Sequence, residues 1–493
     1  MQHRILHTHT MPTKKFISYA IWIILATALG TSFGMGIFIV SSNIKQTVTE
    51  KGDLATAQPI AGALASVYAD QNIETDETEL YPENKSVGES EPLEIFLPET
   101  NIKTTEKFYP EIGNISTPAD GPILLSFVKR IHNQYELNGN ETLDAQIYSP
   151  KSVQFSPDGK KVYVNSLESG KTLVYDANTK ERIGQVSHRF AEKSSKPVES
   201  AFSHDGKYLW IPYYRFTDDI YSNLSSAVAV VDTAKEKIIK LIETGSVAKN
   251  VAVSPFNNYV AVTNWGENSV SLISTKTGNS NDFILEDTLA VGKPFSPDVS
   301  NGPVNRDRVC GACLRGILFS PDEKTLFVGL AGDGGGIAGF ELPSKRFLGI
   351  IRKSGFGVRD IILSPDKKTV YISSINQSLF YRTELATLSK ALYDAKGKNS
   401  VRPEIFELTP VSGVGRTVKI TEDGKYVFMA IHNTAEIVAI DTKTFKVVSR
   451  IKTDPFTVGL DISKEGKEIW TTSQGVAGLG GGNAIDIFEV KYR

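Results

Sequence analysis

The sequence predicts an all-β protein: a seven-bladed β-propeller preceded by one transmembrane helix and a disordered stalk. Three observations lead there. One hairpin phrase recurs seven times after residue 150. Its turn Ser or Thr positions lie 47, 51, 66, 44, 57 and 42 residues apart. A single run of 25 uncharged residues stands near the N-terminus, ahead of an acidic stretch.

Residues 1–15 carry Arg4, Lys14 and Lys15, and residues 16–40, "FISYAIWIILATALGTSFGMGIFIV", carry no charge. At about 1.5 Å per residue this run covers the roughly 30 Å of a hydrocarbon core. It is longer than a signal-peptide core, so an uncleaved signal anchor is preferred to a cleaved signal ending at "ATALG". Basic residues before the span keep the N-terminus cytoplasmic and send the rest across. The expected location is therefore the cell membrane, single-pass, with the propeller on the extracytoplasmic side, periplasmic or at the cell surface.

Residues 41–120 form the linker. From Asp70 to Glu111 there are twelve Asp and Glu against three Lys, a net of −9. Such a composition cannot bury enough apolar surface to offset the entropy of ordering. The whole chain has a net charge of −2, so no global basicity points to nucleic acid as a partner.

The propeller is expected over 121–493. Its repeated phrase reads "VQFSPDGKKVYV" (153–164), "AFSHDGKYLWI" (201–211), "VAVSPFNNYVAV" (251–262) and "ILFSPDEKTLFV" (317–328), then "IILSPDKKTVYI" (361–372), "VKITEDGKYVFM" (418–429) and "LDISKEGKEIW" (460–470). Each copy is an alternating strand, a Ser-Pro-Asp-Gly type of turn and a second strand. Pro presets φ, Asp caps the turn and Gly accepts a positive φ. Third strands such as "AVAVVD" and fourth strands such as "KVVSRI" follow most copies, which gives four strands per unit. The last copy lacks room for its fourth strand. "PILLSFVKRI" (122–131) has no blade of its own, so it should close the ring from the N-terminal side.

The third unit, "NVAVSPFNNYVAVTNWGENSVSLIS" (250–274), resembles the YVTN-type propeller repeat of bacterial and archaeal exported or surface proteins, within the lactonase-like propeller superfamily. The other six units are looser copies. The resemblance implies binding at the top face, formed by loops from strand two to strand three and by the links between blades. Long insertions fall there, at 211–226, 277–314, 329–339 and 473–483. No catalytic signature of the related enzymes can be placed on these residues.

The fifth position before each turn residue reads Lys151, Val198, Lys249, Arg315, Arg359, Arg416 and Val458. Five of seven are basic, where 54 Lys and Arg in 493 residues predict fewer than one. Strand periodicity puts each basic residue on the face of the apolar residues that follow it, at the top end of the innermost strand. One reading is a cationic ring around the channel mouth that favours an anion. The other is a set of ion pairs with acids such as Glu199, Asp360, Asp218 and Asp219. Tyr213, Tyr214, Asn264, Trp265 and His432 lie at the ends of second strands and join the candidate binding face. A lone histidine such as His432 is more often a hydrogen-bonded surface residue than a base or ligand.

"RVCGACLRG" (308–316) holds both cysteines, just before the fourth inner strand. Leu314 stands where c-type haem attachment needs histidine, and a zinc site lacks further cysteines. On the exported side a local Cys310–Cys313 disulfide is expected, with a redox role as the competitor. No metal and no cofactor are expected. The functional expectation is a membrane-anchored binding propeller that presents a cationic top face to a protein or small anionic ligand. The alternative is an exported lactonase-like or oxidoreductase-like enzyme acting on a small anionic substrate.

Overall fold

The computed structural model describes residues 110–133, 141–190, 193–216 and 225–493, apart from 294, 296, 297, 299, 301, 303, 354 and 475–482. The expected anchor and nearly all of the expected linker lie outside these residues. Among the described residues no helix is long and apolar enough to cross a membrane.

Seven antiparallel sheets follow one another along the chain, each built outward from an inner strand. The inner strands of six blades are Pro150–Phe155, Ala248–Val253, Leu314–Phe319, Val358–Leu363, Gly415–Ile420 and Thr457–Ile462. Blade two is irregular: Lys196–Pro197 and Ala201–Phe202 both pair with the long second strand Tyr208–Arg215. Second and third strands are buried almost throughout, as in "YVAVTN" and "EIVAID". Fourth strands alternate with solvent.

The recurring turn works through both of its polar side chains. In blade one Ser156 Oγ donates to Asp158 Oδ1 at 2.6 Å, and the same carboxylate oxygen accepts the Lys160 N–H at 3.1 Å. Ser156 Oγ also accepts the Lys161 N–H at 3.0 Å, which starts the second strand. Gly159 supplies the positive φ of 71°. Ser203, Ser320, Ser364 and Thr421 repeat the hydroxyl–carboxylate bond.

The ring closes as expected. Ile123–His132 pairs antiparallel with the C-terminal strand Ala484–Tyr492 and completes blade seven. Ile123, Leu125, Phe127 and Ile131 of this strand are fully buried. The propeller's hydrogen bonds begin before residue 121: Thr117 exchanges two backbone bonds with Arg450 of blade six, at 2.9 and 3.0 Å. A strap from residue 110 therefore ties blade six to blade seven.

A helix, Leu385–Ala395, interrupts blade five between its third and fourth strands. Leu388, Ala391, Leu392 and Ala395 form its buried stripe. The following strand, Lys398–Val401, crosses to blade four and adds a parallel fifth strand there.

Candidate functional site

Each basic residue of the recurring position is the second residue of its inner strand, and a β-bulge falls there in all six regular blades. In blade four, for example, Leu314 faces Leu330 and Ile317 faces Val328, so two residues oppose one. The same shift occurs in blades one, three, five, six and seven. A bulge bends the strand and re-aims the side chains on it. The period-of-two placement of these residues is thereby corrected: in blade five the sequence neighbours Arg359 and Asp360 line one cavity.

Lys151, Lys249, Arg315, Arg359 and Arg416 are all buried. Lys249 Nζ donates to Asp307 Oδ1 at 2.8 Å, and sits 4.0 Å from the Tyr214 ring centre and 4.9 Å from that of Trp265. Arg315 covers the same Trp265 ring at 4.3 Å. Arg416 Nε donates to His432 Nδ1 at 3.1 Å, and Phe456 packs against both groups. Arg359 lies 3.7 Å from Glu199, an acid named from sequence, in an ion pair. Asp360 instead accepts the backbone N–H groups of Ile361 and Val418, both at 3.0 Å. Burial raises its pKa above the ordinary value. Asp218 and Asp219 lie outside the described residues.

Asp307 is the residue that sequence reasoning missed. It belongs to the insertion before blade four and reaches back to blades two and three. Its second carboxylate oxygen accepts the Tyr214 hydroxyl at 2.5 Å, and its carbonyl accepts the Trp265 indole N–H at 2.8 Å. Burial opposes its charge, yet Lys249, the Tyr214 hydroxyl and Arg315 together hold its carboxyl below the usual range. Burial pushes the Tyr214 phenol far up, and the Asp307 charge adds to that.

Cys310 and Cys313 form the disulfide, with Cα atoms 4.9 Å apart. Both are buried in an apolar cluster with Leu167, Val198, Tyr214, Trp265, Ala331 and Ile375, residues drawn from blades one to five. The insertion is thus packed onto the ring. Gly332 allows the close approach: a Cβ there would collide with the Gly311 carbonyl and the Cys313 sulfur.

Two of the candidates are structural in their contacts. Tyr213 bonds His188 Nδ1 at 2.9 Å and stacks on Phe216. Asn264 donates to Ser269 and Ser271 inside blade three, at 2.8 and 3.0 Å. The structure brings Tyr214, Trp265, Lys249 and Arg315 together around Asp307. It sets His432 with Arg416 in a second corner.

Replacing Asp307 by Asn is expected to destabilise the fold by about 3 kcal/mol at neutral pH, since it removes the charge facing buried Lys249. A carboxylate with a depressed folded pKa contributes stability above its unfolded value of 3.8, and that contribution is lost as pH falls through the folded value. Denaturation of wild type and variant should therefore converge below about pH 4. A difference that stays constant with pH contradicts the pairing.

Among the described residues no group of three or more His, Cys, Asp or Glu side chains is placed to hold a metal ion. No family model matches the chain, and no curated protein matches it. Among solved structures it is similar to a chain of the Kuenenia stuttgartiensis hydrazine synthase. That match has 15% identity and a TM-score of 0.52, and covers 73% of this chain and 99% of the other. It is also similar to the β-propeller domain of Myceliophteria thermophila Cps50 (Swd1), at 11% identity and a TM-score of 0.49, covering 70% of this chain and 97% of that one. At such identities the likeness is one of fold, and the fold is a seven-bladed β-propeller.

Proposed function

We propose that the chain is an exported, signal-anchored propeller of the YVTN type whose top face binds an anionic ligand or the acidic surface of a partner protein. A single observation carries this reading: five inner strands present a basic side chain at the same position of the same bulge. Asp307 supports it further, because a carboxylate already occupies the corner made by Lys249, Tyr214 and Trp265. Buried bases beside aromatic rings are favourable surroundings for an anion that brings its own hydrogen-bond acceptors.

The test uses the full chain in detergent at low salt, melted with citrate, phosphate, sulfate or a polyglutamate peptide. At least one anion is expected to raise the melting temperature by mass action, and added sodium chloride to shrink the gain. Indifference to every anion overturns the binding reading. The topology is tested separately by protease on intact cells and on spheroplasts. Digestion of the propeller or the stalk is expected, and full protection in both reverses the orientation.

A further inference from the structure

Past the bulges, the inner strands of blades one to six line a cavity of about 200 Å³. Four charged side chains face it: Glu199, Arg359, Asp360 and Lys419. Two of them are already engaged. Both Asp360 oxygens hold backbone N–H groups, and Lys419 Nζ donates to Asp461 Oδ1 at 3.1 Å.

The other two meet only each other, in a long ion pair. The Arg359 side chain is 3% exposed, its Nε–H makes no hydrogen bond, and its contact with Glu199 is 3.7 Å, too long for one. The Glu199 carboxylate accepts no hydrogen bond among the described residues. A buried guanidinium Nε–H without a hydrogen bond is a costly arrangement that a carboxylate relieves well, because the planar fork matches it in bidentate fashion.

We infer that this cavity is a binding site for a small zwitterion, a free amino acid or a betaine, with its carboxylate on Arg359 and its ammonium on Glu199. A bare anion on Arg359 would meet the Glu199 charge close by, and a bare cation on Glu199 would meet Arg359. A molecule carrying both charges a short distance apart matches both. Asn250 and Gln154 add polar groups to the wall, and Ala201 leaves space. The volume is below that of usual drug-sized pockets, which suits a metabolite of this size and excludes a longer peptide. The site shares Arg359 with the proposed mouth but needs nothing else from it, and it stands if the mouth binds nothing.

The full chain in detergent is titrated with glycine, alanine, serine, glutamate, γ-aminobutyrate and glycine betaine, against acetate and methylammonium as single-charge controls. At least one zwitterion is expected to raise the melting temperature by roughly 2–4 °C, with the controls inert. Glu199→Gln should weaken that zwitterion at least about tenfold and let acetate bind, because the repelling charge is gone. Ala201→Leu, which fills the cavity without changing a charge, should abolish both responses. It decides the matter if Glu199→Gln does not fold. Arg346→Gln, on the outer strand of blade four and away from the cavity, should leave the zwitterion response intact. No response to any zwitterion overturns the site, as does an equal response to acetate in the wild type. Persistence in Ala201→Leu, or loss in Arg346→Gln, also overturns it.

Discussion

A chain beginning at residue 110 is expected to melt in one cooperative transition, and a chain beginning at residue 134 to show none. The second lacks Ile123–His132, whose Ile123, Leu125, Phe127 and Ile131 are buried between neighbouring strands. Each such side chain stabilises the fold by about 1.5–3 kcal/mol, so the strand accounts for roughly 6–12 kcal/mol. That is as large as the whole net stability of a typical domain, about 5–15 kcal/mol. The loss also leaves Ala484–Tyr492 with an open edge, which invites association between chains. Circular dichroism melts and light scattering of the two chains read the difference. Equal melting temperatures and equal solubility contradict the closure.

The same strand carries the second large effect. Arg130 holds three acids at once: Asp454 Oδ1 at 2.6 Å, Asp486 Oδ1 at 3.1 Å and Glu141 Oε1 at 3.2 Å. Asp454 and Asp486 are buried, and Asp486 also accepts the Asp454 N–H at 2.8 Å. Burial, and then the Asp486 charge, raise the Asp454 pKa well above its ordinary value, while Arg130 opposes the rise. Arg130→Met is expected to cost about 3–5 kcal/mol at pH 7.5, because it takes the guanidinium away from three acids at once. For a carboxyl with a raised folded pKa, the ionised unfolded chain is favoured as pH climbs from 3.8 towards the folded value. The variant's deficit should therefore be smaller at pH 5 than at pH 7.5. Adding Asp454→Asn should recover part of it. Urea denaturation at the two pH values checks both statements, and a deficit that ignores pH and Asp454 contradicts the clasp.

The blades were legible because their signal is local. Ser156, Asp158 and Gly159 act within one turn, so their chemistry reads directly from adjacent letters. The closing strand was legible by counting strands, although its partner lies at the far end of the chain. The bulges were not, since a ladder assumed to be unbroken hides the extra residue that turns Arg359 towards the cavity. Asp307 escaped for a different reason. Its partners Tyr214, Lys249 and Trp265 are distant in sequence, and an insertion has no period that places it. The helix Leu385–Ala395 did carry a signal, with Leu388, Ala391, Leu392 and Ala395 spaced for one face.

Under the proposed function the basic residues of the inner-strand bulges serve a ligand rather than only the fold. Thermal melts of the full chain with Arg315→Gln and Arg416→Gln, with and without the anion that stabilises the wild type, test it most directly. If these charges serve a ligand, they repel one another in its absence. The double variant should then be as stable as the wild type in plain low-salt buffer, or steadier, and should gain nothing from the anion. If they serve the fold alone, their removal strands the groups they hold and lowers stability with no anion present. A double variant destabilised in plain buffer, with its anion response unchanged, would contradict a ligand-binding role for these bases.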